Sequence, residues 1–124
     1  MQALAEIQDV VGRLAGSVGG SVVGIGHRWA LGSGVVVAPG RVLTNAHNLR
    51  RDQVTVTFSD DRSVTATPVG VDVDGDLAIL EVDTGDAPTI EWGNGAPALG
   101  APVFALANPG GRGLRVTFGL ISGT

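Results

Sequence analysis

The chain has 124 residues, enough for one domain with its own core and too few for two of ordinary size. Hydrophobic residues at 44 % and charged residues at 16 % exclude a disordered chain, and the lack of cysteine excludes disulfides and thiolate metal sites. The net charge is −4, every basic residue is arginine, and the adjacent pair Arg50-Arg51 runs straight into Asp52, so no nucleic-acid surface is expected.

Leu4, Ile7, Val10, Val11 and Leu14 recur at helical spacing, which predicts an amphipathic helix over 2–15. Glu6 and Asp9 lie toward its start and Arg13 near its end, in keeping with the helix dipole. Gly16 allows a stop, and the helix is expected to pack against the strands C-terminal to it. Its acidic start does not read as a secretory signal, and no apolar run approaches the ~20 residues that span a bilayer.

From Ser17 the period changes to that of strands. Valine- and leucine-rich runs at 17–25, 29–38 and 41–45 are separated by Gly26-His27-Arg28 and by Pro39-Gly40. The run 53–58 alternates, with Val54, Val56 and Phe58 on one face and Thr55 and Thr57 on the other. Asp60-Asp61-Arg62 reads as a hairpin turn, and strands at 63–73 and 77–82 come next. Six short strands with turns every ~8–12 residues predict a small closed barrel, because closure removes exposed edges.

Prolines and glycines then accumulate over 84–101, which reads as a linker. Two further strands, 102–107 and 114–122, flank Asn108-Pro109-Gly110-Gly111. Two strands alone bury no core, so this hairpin needs something to pack against. The expected organisation is a helical segment 1–16, a barrel 17–88, a linker 89–101 and a hairpin 102–124.

Two residues carry candidate chemistry. His47 ends Val42-Leu43-Thr44-Asn45-Ala46-His47, where a strand turns. An imidazole there can accept and return a proton near neutral pH, although turn histidines are usually inert. Asp76 opens the apolar strand Asp76-Leu77-Ala78-Ile79-Leu80, so its carboxylate is expected to be partly buried and to need a hydrogen-bonding partner. An imidazole N–H would serve, whereas Asp72 and Asp74 should face water. Asp72-Val73-Asp74-Gly75-Asp76 does not fit a calcium loop, since Leu77 and Asp83 stand at its sixth and twelfth positions in place of glycine and glutamate. His27 has no partner pattern and reads as a solvated turn residue. No cofactor or metal is expected.

Both segments resemble those of trypsin-like serine proteases, and more closely the HtrA/Deg branch. Thr44-Asn45-Ala46-His47 is similar to its histidine segment and Asp-Leu-Ala-Ile-Leu to its aspartate segment. Ser21-Val22-Val23-Gly24-Ile25, Leu31-Gly32-Ser33-Gly34-Val35-Val36-Val37, Asn108-Pro109-Gly110 and Val116-Thr117-Phe118-Gly119-Leu120-Ile121-Ser122 extend the resemblance from about Ser17 to Thr124. It implies an all-β, chymotrypsin-like N-terminal barrel followed by the first hairpin of an incomplete second barrel. It also implies His47 as general base and acid, Asp76 as the acid that orients it, and unfolded or misfolded polypeptides as substrates. An extracytoplasmic location, a following PDZ domain and assembly through the N-terminal segment are family traits implied in the same way.

No Gly-x-Ser-Gly-Gly occurs, so the nucleophile is expected beyond Thr124 and these 124 residues are expected to be inactive alone. Ser33 sits between glycines in a strand that looks structural and does not form a nucleophile elbow. Asn48 departs from the family, which usually places an apolar residue after the histidine, and Ala107 replaces a usual glycine. Two other outcomes stay open. The chain could be a binding or assembly module whose 102–124 hairpin pairs with a second copy or a complementary chain, or a barrel that keeps the shape without catalysis.

Overall fold

A computed structural model describes residues 2–26, 31–49 and 52–123. Helix α1 (Gln2–Val18) and a 3₁₀ turn (Gly19–Ser21) lead into strands β1 (Val22–Ile25), β2 (Gly32–Ala38) and β3 (Arg41–Thr44). A 3₁₀ turn at Ala46–Asn48 precedes β4 (Val54–Thr57), β5 (Ser63–Asp72) and β6 (Leu77–Glu81). These six strands close into an antiparallel barrel in the order β1-β2-β3-β6-β5-β4. Strands β7 (Pro102–Ala107) and β8 (Arg115–Leu120) form a separate two-stranded sheet. The described residues are all-β apart from α1 and the short 3₁₀ turns, as the strand spacing predicts.

The barrel interior is filled by the inward residues of alternating strands. Val23, Ile25, Val36, Val42, Val54, Val56, Phe58, Ala66, Leu80 and Val82 form one buried cluster. Each buried valine, leucine, isoleucine or phenylalanine contributes roughly 1.5–3 kcal/mol relative to exposure. The alternation read at Val54, Val56 and Phe58 is the observed one, with all three buried. At the β4–β5 hairpin, Asp61 adopts a left-handed φ of 69° and Phe58 N–H donates to Arg62 O at 2.9 Å. The Arg62 guanidinium lies 4.3 Å from the Phe58 ring centroid and donates to Asp83 O and Thr84 O, fastening the exit of β6.

The N-terminal expectations need two corrections. The helix runs to Val18, past Gly16, because glycine weakens a helix by only about 1 kcal/mol and does not by itself end one. Its apolar face is half-buried at Ile7, Val10, Val11 and Leu14, with none of its residues fully buried. The run 17–25 is not one strand either. Its first half is helix end and 3₁₀ turn, and only Val22–Ile25 is β. Gly19 and Gly20 permit this tight passage; a Cβ on Gly20 would come within 3.2 Å of Pro88. Ser21 Oγ donates to Pro88 O at 2.7 Å.

Residues 84–101 carry no regular secondary structure, yet their first part is tied to the barrel. Gly40 N–H donates to the buried Thr84 Oγ1 at 2.9 Å, and Ile90 N–H donates to Val36 O at 2.8 Å. In the hairpin Phe104 pairs with Phe118, their ring centroids 5.4 Å apart. The turn joining β7 and β8 meets the barrel. A Cβ on Gly24 of β1 would lie 1.9 Å from Gly111 N, so the two backbones touch where neither residue has a side chain.

Candidate active site

Adjacent antiparallel strands bring the two candidate residues to one rim. Strands β3 and β6 pair with Thr44 opposite Ala78, so the residues just after Thr44 and just before Leu77 emerge side by side. Asn45 stays extended (φ −84°, ψ 143°), and the chain then tightens into the 3₁₀ turn that carries His47. Asp76 takes a left-handed φ of 56°, a conformation that aspartate tolerates better than most residues.

That conformation turns every acceptor of Asp76 toward the histidine turn. Its Oδ2 lies 2.6 Å from His47 Nδ1, and its Oδ1 accepts His47 N–H at 2.8 Å. Its carbonyl accepts Ala46 N–H at 3.2 Å and Asn45 Nδ2–H at 3.1 Å. One carboxylate therefore fixes both ring and backbone of the histidine. With Nδ1–H donating to Asp76, Nε2 carries the free lone pair and points away from the acid. Among the described residues Nε2 makes no hydrogen bond, and the side chain is 65 % exposed, which leaves room for an incoming hydroxyl.

The His47 ring hydrogen bond and, next, its backbone N–H hold the Asp76 carboxyl below the usual carboxylate range, against a smaller opposing effect of desolvation. The acid's contribution to holding the turn is therefore complete above about 3.9 and is lost as the pH falls through the lower folded value. A carboxyl ¹³C titration is expected to place the Asp76 midpoint below about 3.9. An ordinary or higher midpoint would contradict the hydrogen bonding described.

Asp72 and Asp74 are exposed, and Asp72 Oδ1 accepts Gly75 N–H at 3.0 Å to shape the turn before Asp76. Ser33 is not near-free as a nucleophile would be; its Oγ accepts Asn108 N–H at 2.8 Å. His27 and the Arg50-Arg51 pair lie outside the described residues. In the sequence Asn45 stands out only as part of a motif. Its grip on the Asp76 carbonyl comes from the left-handed turn, which no local pattern announces.

A six-stranded antiparallel barrel with a hydrogen-bonded histidine and aspartate on one rim, fastened to a separate two-stranded hairpin, has the architecture of a trypsin-like peptidase. The chain belongs to that family: residues 32–124 match the model of the trypsin-like peptidase domain. It is 40 % identical over 98 residues to the serine endoprotease DegS of Escherichia coli (strain K12), a match covering 76 % of this chain and 28 % of that protein. It is 37 % identical over 98 residues to a probable periplasmic serine endoprotease, DegP-like, of Halomonas elongata, covering 77 % of this chain and 21 % of that one. The crystal structure of the serine endoprotease from Yersinia pestis superposes with a TM-score of 0.82 at 34 % identity, covering 91 % of this chain and 44 % of that chain. The likeness is therefore to HtrA-like proteases, and this chain spans between a fifth and a third of those two relatives' length.

Proposed function

We propose that these residues are the base-bearing part of an HtrA-like serine endopeptidase that cleaves unfolded or misfolded polypeptides. The observation that carries this reading is the two-point hold of Asp76 on His47, through Nδ1 at 2.6 Å and the backbone N–H at 2.8 Å. His47 Nε2 takes the proton of a serine hydroxyl as it attacks the peptide carbonyl, then delivers it to the leaving amine. Asp76 keeps the proton on Nδ1 and stabilises the imidazolium formed in between. The serine and the oxyanion donors come from the part of the protease that lies outside these 124 residues, so the chain alone is inactive. The periplasmic naming of the DegP-like relatives supports an extracytoplasmic site of action.

A chimaera joining residues 1–124 to the part of DegS C-terminal to its matching region tests this. Replacing His47 by alanine is expected to abolish hydrolysis of an unfolded polypeptide. Equal activity in the two versions would remove His47 from the mechanism and favour a barrel without catalysis.

The hairpin supports a second reading, a non-catalytic assembly module. Phe118 is 49 % exposed and Leu120 60 %, an apolar surface on a sheet with two open edges. In that case 1–124 sediments as an oligomer and 1–101 as a monomer. Identical sedimentation of the two would exclude hairpin-driven association.

A further inference from the structure

We infer that Asn48, Thr44 and Ser33 are positioning residues that couple the docked turn between β7 and β8 to the turn carrying His47. Asn48 directly follows His47 and ends the 3₁₀ turn. Where the family usually carries an apolar residue, it makes a polar contact. Its Nδ2–H donates to Thr44 Oγ1 at 3.0 Å. The Thr44 hydroxyl donates in turn to Ser33 O at 2.8 Å. Thr44 is 5 % exposed, so its hydroxyl has no ready exchange with water and both bonds depend on its being there.

Ser33 carries the connection across the barrel wall. Its Oγ accepts Asn108 N–H at 2.8 Å, and Asn108 Oδ1 accepts Gly113 N–H at 2.9 Å. Asn108 is itself 5 % exposed. Thus the residue beside His47 is linked, through two side chains and one strand residue, to a buried asparagine 60 positions away (108 − 48) in the hairpin.

Gly32 supplies the seat for this link. A Cβ there would lie 2.5 Å from Asn48 Cγ, Nδ2 and Oδ1 alike, so the amide lies flat on the glycine. Gly32 has no left-handed φ, so the position answers to space and not to backbone conformation. Asp76 grips the turn from one side through Ala46 and His47; Asn48 grips it from the other. A turn held at both ends leaves the imidazole little freedom to leave the carboxylate. Loss of either hold loosens the ring.

The functional meaning rests on His47 acting as the base, but the coupling is measured without activity. In ¹H NMR of the 124-residue chain, His47 Nδ1–H is expected to give a deshielded signal whose exchange is slowed by its hydrogen bond to Asp76, assigned by its loss in His47→Ala. Gly32→Ala displaces only the end of a flexible side chain, so the barrel should fold as before. Gly32→Ala, Asn48→Ala and Thr44→Val are expected to speed exchange of that proton about five- to tenfold, the size of one hydrogen bond. Thr44→Ser keeps the hydroxyl and should retain the original rate. Ser33→Ala should speed exchange at both Asn108 N–H and His47 Nδ1–H, with the paired core amides of Val42 and Leu80 unchanged.

Faster exchange at Asn108 alone in Ser33→Ala would overturn the coupling. So would an unchanged His47 signal in Gly32→Ala, a variant that carries the test even where Thr44→Val fails to fold. In the chimaera the same variants should lower kcat about five- to tenfold with KM unchanged. If His47→Ala proves harmless there while the exchange effects persist, the catalytic assignment fails and the coupling stands.

Discussion

Replacing Asp76 by asparagine in the completed chimaera is expected to lower kcat about 10⁴-fold while leaving KM within a few fold. The geometry dictates the sign. Asparagine can still accept His47 N–H through its carbonyl oxygen, so the turn keeps its shape. Its NH₂ group then faces Nδ1 at the position where Oδ2 now stands, 2.6 Å away. Nδ1 must become the acceptor, and the proton moves to Nε2, the atom that has to receive the serine's proton. A ring in place but in the wrong tautomer cannot act as a base. The loss should ease at alkaline pH if the serine hydroxyl ionises without help. A kcat within tenfold of the parent would mean that Asp76 shapes the turn and does no more.

Gly24→Ala should cost about 1–3 kcal/mol of stability, read as a lower midpoint in denaturant at constant m-value. The new methyl would meet Gly111 N, Gly111 Cα and Gly110 C at 1.9, 2.5 and 2.6 Å. These are backbone atoms and cannot rotate aside. Strand β1 is paired on both sides, Gly24 facing Ser33 on β2 and Thr57 on β4, so the barrel holds its place. The turn between β7 and β8 yields instead, and protection of Asn108 N–H should fall with the midpoint. Gly16→Ala is the control, since nothing lies within 4 Å of a Cβ there and a helical alanine should add up to about 1 kcal/mol. An unchanged midpoint for Gly24→Ala would show that the hairpin turn is not seated on β1.

His47 and Asp76 were legible because each sits in a short segment whose residue types carry chemistry and whose flanks mark a strand end. Their meeting was legible only through resemblance, since 29 residues separate them and the register of β3 on β6 is a tertiary fact. The barrel could be read from alternation, as at Val54, Val56 and Phe58, and from turn residues such as Asp60-Asp61. The N-terminal boundary could not. Valine, serine and glycine at 17–21 suit a strand locally, but contacts with Pro88 and Leu114 place them in a helix end and tight turn.

The site's supports were hidden for the same reason. Asn48 read as a departure from an apolar pattern, and nothing in its neighbours points to Thr44 as its partner. Gly24 and Gly32 look alike in sequence, yet one faces immovable backbone and the other a side chain that can swing away. Ser33 read as structural in its strand, and its hydroxyl does bind the hairpin.

Under the proposed function, the imidazole held on the barrel rim activates a serine hydroxyl supplied by the C-terminal part of the chimaera. Labelling by a fluorophosphonate, which reacts only with an activated serine, tests it most directly. The chimaera should label stoichiometrically, its His47→Ala form at least about 10³-fold more slowly, and residues 1–124 alone not at all. Equal labelling rates with and without the imidazole, or labelling of the 124-residue chain itself, would contradict it.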